Sequence, residues 1–240
     1  AEIEDPDANV QNTVLEVLGI IGGPVVIEAL KNQLSKGNSD LQFSSYLLGA
    51  LSDCGALLRL GELKELLKVP VLRRFSCPLL GKSSDIEAFK LLVEYCGAKS
   101  KSLRFAATKG VQVYFEGASP PELAKARKIL RQDARAIEKI KEILAEGTSE
   151  MAESAVRVFT VLGDSHVAPD LLWASAGKPW VSMVLDHVHA LGEPVVEHLL
   201  DGLGDVDADA RTLFIELLER FKAKQAVPSL IEILEKGPQR

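Results

Sequence analysis

One two-helix phrase recurs along this chain, and that recurrence restricts its fold more than any other feature. VLGIIGGPVVIEALKNQLSKG at 17–37 and HALGEPVVEHLLDGLG at 189–204 both run Leu-Gly, then Pro-Val-Val, then a Leu-rich stretch. Glycine ends a helix cheaply, and proline, with its fixed φ and missing N–H, is tolerated in the first turn of the next. Each phrase therefore reads as two antiparallel helices joined by a short turn. Leu-Gly stands at Leu18-Gly19, Leu162-Gly163 and Leu191-Gly192, and Leu-x-x-Gly closes trailing helices at 34–37, 144–147 and 234–237. Units spaced by about 30 to 40 residues are the mark of stacked helical repeats. No strand-like alternation and no βαβ order competes.

The apolar spacing predicts helices along most of the chain. The first covers 8–20, with Asp5 or Asp7 as N-cap and its stop in 19–23; the second opens at Pro24 and closes at Gly37. A helix over 39–54 is followed by GELKELLKV, and another runs from Pro70 to a stop at Gly81. Ser83 or Ser84 is the expected cap of DIEAFKLLVEYC, with helices over 102–115 and from Ser119-Pro120-Pro121-Glu122 after it. Over 122–146 the apolar positions are unbroken, which allows one long helix or two separated near Gln132-Asp133. The last third reads as three pairs: 149–162 with a helix from 167, 179–191 with 194–203, and 207–221 with 227–234.

Composition agrees with an all-α chain that buries a core. Apolar residues make up 47% and charged ones 26%, values of a water-soluble globular protein. Only 5% are aromatic, so the core is expected from Leu, Val, Ile and Ala. The longest apolar stretch is broken by Gly22, Gly23 and Pro24, which excludes a membrane span there. The three cysteines, Cys54, Cys77 and Cys96, lie far apart without a CxxC pair, and no secretory signal is visible, so a cytoplasmic location is expected. The opening AEIEDPD has no Met, as in a piece of a longer protein or a processed product.

ALGEPVVEHLLDGLGDVDADAR at 190–211, VLGDSHVAPDLLWAS at 161–175 and KAKQAVPSLIEILEKG at 222–237 resemble HEAT repeats, in particular the short bacterial type of the phycobilisome lyases. The resemblance is clear over 7–37 and 148–237 and weak over the basic, irregular middle at 55–146. It implies one HEAT-like domain over 1–240, a right-handed α-α superhelix of about six or seven helical hairpins whose inner face is formed by second helices. Proteins of this kind bind other macromolecules, so the resemblance implies a non-catalytic scaffold or adaptor, with bacterial signalling or regulatory assemblies as the setting. The alternative it implies is a lyase-type enzyme or enzyme subunit holding a small ligand in the groove. No cofactor is expected. In the last helix Ile231, Ile233 and Leu234 are more apolar than an end cap needs, which suggests a homodimer or further repeats.

Charge is distributed unevenly. Residues 1–58 hold two basic and eight acidic side chains, 59–142 hold eighteen and ten, and 143–240 hold eight and sixteen. In a stack of repeats, order in sequence is order in space, so the basic middle becomes a band. Arg73, Arg74, Lys99, Lys101 and Arg104 sit near expected helix starts and turns, where they would meet an acidic segment of a protein partner. Nucleic acid is disfavoured, because the acidic ends would repel a long duplex. Trp173 and Trp180 read as packing residues rather than base-stacking platforms.

Catalytic and metal chemistry find little support in the residue pattern. His187 and His189 are two apart on a helix and so diverge, although either could meet His198 across the following turn. The resemblance includes di-iron hydroxylases that use His-Glu pairs; Glu197-His198 has the reverse order. Arg73 and Arg74 precede Cys77 by a helical turn, a spacing that would lower a thiol pKa if the groups met.

Overall fold

A computed structural model describes residues 7–146 and 149–236. Asp5, Gly147 and Gly237, read above as helix-end signals, lie outside the described residues. The fold is all-α: fifteen α-helices and no strand among the described residues. None of these helices is long and apolar enough to cross a membrane. The chain divides into two compact units, Ala1–Ile140 and Lys141–Arg240.

In the first unit, α1 (Ala8–Ile21) and α2 (Pro24–Lys36) are followed by α3 (Leu41–Asp53), α4 (Leu60–Leu67), α5 (Pro70–Lys82) and α6 (Ile86–Cys96). Then come α7 (Lys101–Gly117), α8 (Pro120–Gln132) and α9 (Ala134–Glu146), the last running across the division. The leading helices α1, α3, α5 and α7 pack side by side in one layer, and α2, α4 and α6 lie against them. Neighbours in the leading layer run parallel: Gly19 lies on Ala50 and Gly22 near Cys54, while Gly81 lies on Gly110. Leu15, Leu48, Leu63, Leu80, Phe89 and Val111 are fully buried between them.

The second unit repeats the grammar in three pairs: α10 (Ser149–Leu162) with α11 (Ala168–Ser175), α12 (Val181–Ala190) with α13 (Pro194–Gly202), and α14 (Ala208–Arg220) with α15 (Val227–Lys236). Helix α12 packs against α10 and α14, and α11 packs against α12, α13 and α14. Val156, Phe159, Leu172, Val184, Leu199 and Phe214 have no exposed surface. In α15, by contrast, Val227 is 51%, Ile231 48% and Leu234 81% exposed.

Helix ends follow local chemistry. The Asp7 carboxylate accepts from the Asn9 N–H at 2.8 Å, that of Asp40 from Gln42 at 2.7 Å and that of Asp207 from Ala210 at 2.9 Å, each satisfying a first-turn donor. Prolines open α2, α5, α8 and α13. The structure separates the two readings of 122–146: Asp133 ends α8, and its carboxylate caps α9 by accepting from the Ala136 N–H at 2.9 Å.

Two expected helix ends are corrected. The cap of α6 is Asp85, which accepts from the Glu87 N–H at 2.9 Å, while the Ser83 hydroxyl accepts from the Asp85 N–H one step earlier. Gly81 does not stop α5 but lies inside it, and Pro78 is inside it as well. The Leu-Gly signature also has two physical causes. Gly163 and Gly192 end their helices at φ of 67° and 85°, whereas Gly19 stays helical because a Cβ there would lie 2.9 Å from the Ala50 Cα.

Candidate functional site

The starts of α5 and α7 lie at one edge of the first unit because the two helices run parallel. Val69 precedes α5 without a side-chain cap, and Ser100 precedes α7 with its hydroxyl 3.5 Å from the Leu103 N–H. Neither helix has an acidic residue in its first turn. Their positive dipole ends are thus unopposed from within, in contrast to α1 and α3, whose caps are the carboxylates of Asp7 and Asp40. Between the two starts lies a cavity of about 380 Å³ lined by Pro70, Val71, Arg73, Arg74, Ser100, Ser102 and Leu103.

The five sequence-expected cations do not play one role. Arg73 and Arg74 both line this cavity. Arg73 is half-buried; its Nε donates to the Leu67 carbonyl at 2.9 Å and its guanidinium lies 5.8 Å from the Tyr95 ring centre. Arg74 is exposed, with its guanidinium 4.5 Å from the Phe75 ring. Lys99 and Lys101 are exposed on the adjoining loop and first turn, Lys101 lying 5.7 Å from the Phe105 ring. Arg104 turns inward: it is 8% exposed, and its Nη1 donates to the carbonyls of Ala98 at 3.2 Å and Lys99 at 3.0 Å. It fastens the loop that presents Lys99 rather than facing a partner.

A larger opening next to this edge was not legible as a site in the sequence. A groove of about 740 Å³ is lined by Leu60, Gly61, Lys64, Leu67 and Lys68 on and after α4, by Arg73 on α5, and by Asp85, Leu91, Glu94 and Tyr95 at and along α6. Its sequence signal is the brevity of the GELKELL helix: α4 has 8 residues, whereas α2 has 13 and α6 has 11.

The buried thiols of Cys77 and Cys96 are set against reactivity. Burial pushes the Cys96 thiol up to about 12, with the Thr108 hydroxyl opposing, and burial raises Cys77 further, with Cys96 adding to it. Cys77 donates to the Arg73 carbonyl at 3.2 Å, so its contact with that residue is to the backbone and not to the guanidinium. The turn between Arg73 and Cys77 therefore packs a small apolar side chain.

In the second unit the described histidines form no metal-binding cluster. No group of three or more His, Cys, Asp or Glu side chains among the described residues is placed to hold a metal ion. His198 packs against His166 in a tilted contact, ring centres 4.3 Å apart, rather than against His187 or His189, and His189 packs against Phe221 at 4.8 Å. The His166 Nδ1 lies 3.0 Å from an Asp164 carboxylate oxygen. Trp173, expected to pack, is 52% exposed, because α11 turns Ala168, Leu171, Leu172 and Ser175 inward.

His187 carries a pH dependence. Its Nε2 is buried without a hydrogen-bond partner, and its pKa is lowered by burial and by Arg157, against the opposing charge of Asp186. Above about pH 6.5 the imidazole is neutral both folded and unfolded. Below it the unfolded chain takes up a proton that the folded chain resists, so stability falls with pH until the lowered folded pKa is passed. Urea midpoints at about pH 7.5 and 5.5 are expected to differ less for His187→Gln than for the wild type. An equal acid loss in both would remove His187 as the cause.

Compared with known proteins, no family model matches the chain and no curated protein matches it.

Proposed function

We propose that this chain is a non-catalytic protein-binding scaffold of the HEAT-like solenoid kind, and that the edge formed by the starts of α5 and α7 holds an acidic segment of a partner protein. One observation carries the reading: Arg73 and Arg74 share a cavity at two parallel helix starts that have no acidic residue in their first turns. Helix dipole and side-chain charge there have the same sign, and carboxylates of a partner supply the opposite one. Lys99 and Lys101 extend the positive edge and act on encounter rate and salt dependence more than on final affinity. The other helices of the first unit support this edge, in the setting of a cytoplasmic assembly.

The test is affinity capture from native lysate with the wild type and with a variant carrying Arg73→Glu, Arg74→Glu, Lys99→Glu and Lys101→Glu. Arg104 is left unchanged, since a carboxylate there would face the Ala98 and Lys99 carbonyls. Circular dichroism must show equal helicity in both. A protein retained by the wild type in low salt, released as salt rises and lost by the variant supports the reading. Identical capture by the two chains rejects it.

A further inference from the structure

The groove beside the short helix α4 has a chemically selective lining. The groove of about 740 Å³ lies within the roughly 300–1,000 Å³ typical of small-molecule sites. Leu60, Leu67 and Leu91 are half-exposed along it, and Tyr95, 6% exposed, presents an apolar wall. An apolar body displaces water from these surfaces, which gives non-directional affinity.

Charge along the same lining is unequal. Lys64, Lys68 and Arg73 line the groove together with Asp85 and Glu94. Lys68 is committed to Glu65 at 2.6 Å, and Asp85 is committed to the backbone N–H of Glu87 as the cap of α6. Glu94 is exposed, as is Lys64. The half-buried cation is Arg73, and it is pre-oriented. Its Nε bond to the Leu67 carbonyl and its position over Tyr95 hold the guanidinium plane, leaving the two Nη groups as a fork for an acid.

We infer that this groove is a binding site for a small apolar acid, an aromatic or branched monocarboxylate or sulfonate, with its body against Leu60, Leu67, Leu91 and Tyr95 and its acid group on Arg73. Such a ligand goes beyond the scaffold reading. Arg73, which lines both openings, is the one residue that the groove shares with the partner-binding edge.

The experiment titrates the chain with anilinonaphthalene sulfonate and with phenylnaphthylamine, which has the same ring system without the acid. Fluorescence is expected to report one saturable site, with the anionic dye bound about tenfold or more tightly than the neutral one, the contribution of a charge-assisted hydrogen bond. Arg73→Gln is expected to remove that discrimination. Gly61→Phe fills the groove from α4: a Cβ at Gly61 meets nothing within 4 Å, and replacing a helical glycine does not weaken the helix. This variant is expected to lose binding of both dyes, keep its thermal midpoint and keep capture of the protein partner. Absent saturation, equal affinity for the two dyes, or unchanged binding by Gly61→Phe would each overturn the inference. Loss of the protein partner in Gly61→Phe would overturn it as well, by making the groove part of the partner's seat. Failure of partner capture by the wild type, with dye discrimination intact, would reject the scaffold reading and leave this site standing.

Discussion

Gly81→Ala is expected to lower the thermal midpoint of the chain by about 2–12 °C, from an overpacking cost of about 1–3 kcal/mol and a slope of about 2–4 °C per kcal/mol. A Cβ at Gly81 would fall on the carbonyl oxygen of Gly110, and a Cβ at Gly110 would lie 2.7 Å from both the Cys77 carbonyl oxygen and the Leu92 Cδ2. Gly110 lies in the middle of α7, and its backbone cannot rotate away as a side-chain tip can. The added methyl must push α5 and α7 apart along their closest line. Gly49→Ala is the matched control, since α3 leaves open space around Gly49 and a helical alanine is favoured there by about 0.5–1 kcal/mol. Opposite signs are therefore expected for the same chemical change. Thermal scans followed by circular dichroism decide it, and a Gly81→Ala midpoint at or above the wild type would show that the two backbones do not meet this closely.

The same contact supports the candidate site. Moving α5 from α7 would widen the cavity between Arg73, Arg74, Ser100 and Ser102 at the other end of the helices. Under the proposed function, capture of the acidic partner by Gly81→Ala is accordingly expected to weaken even under conditions where the variant remains folded.

Phe89→Ala is expected to cost about 3–5 kcal/mol, the second large effect. Phe89 has no exposed surface, and its ring centre lies 4.7 Å from that of Tyr114 and 5.6 Å from that of Phe115. Truncation removes the transfer free energy of the ring and leaves a cavity lined by side chains on two helices, α6 and α7, which cannot both relax into it. In a chain with a low aromatic content this cluster concentrates buried area that elsewhere comes from leucines. Trp173→Ala, at a position 52% exposed in the second unit, is expected to cost much less despite the larger ring. Urea unfolding at neutral pH compares the two. Equal losses, or a loss under about 1 kcal/mol for Phe89→Ala, would contradict the packing described for α6 and α7.

Parts of the site were open to sequence reading and parts were closed to it. That Arg73 and Arg74 lie near a helix start was legible, because a block of positive charge stands beside Pro70. Arg104 was open to misreading for the same reason: its charge and its place near a turn match those of Arg74, and only the carbonyls of Ala98 and Lys99 show that it is used internally. Tyr95 and Leu91 read as ordinary apolar positions of α6. They line a groove because α4 is short and α5 enters beside it, a relation between elements far apart along the chain.

What the amino-acid sequence determined by itself is the all-α class and the majority of the helix limits, because those depend on groups within one turn of each other. Asp7 and Asp207 satisfy donors two or three residues on, Pro24 and Pro194 need no donor of their own, and Gly163 and Gly192 accept a left-handed φ. Tertiary structure alone decided why Gly19 and Gly81 stay helical and which cations face outward. Gly19 and Gly81 are required by Ala50 and Gly110, residues brought to them through space. Burial, close approach and shared cavities are properties of neighbours, and local sequence does not specify neighbours.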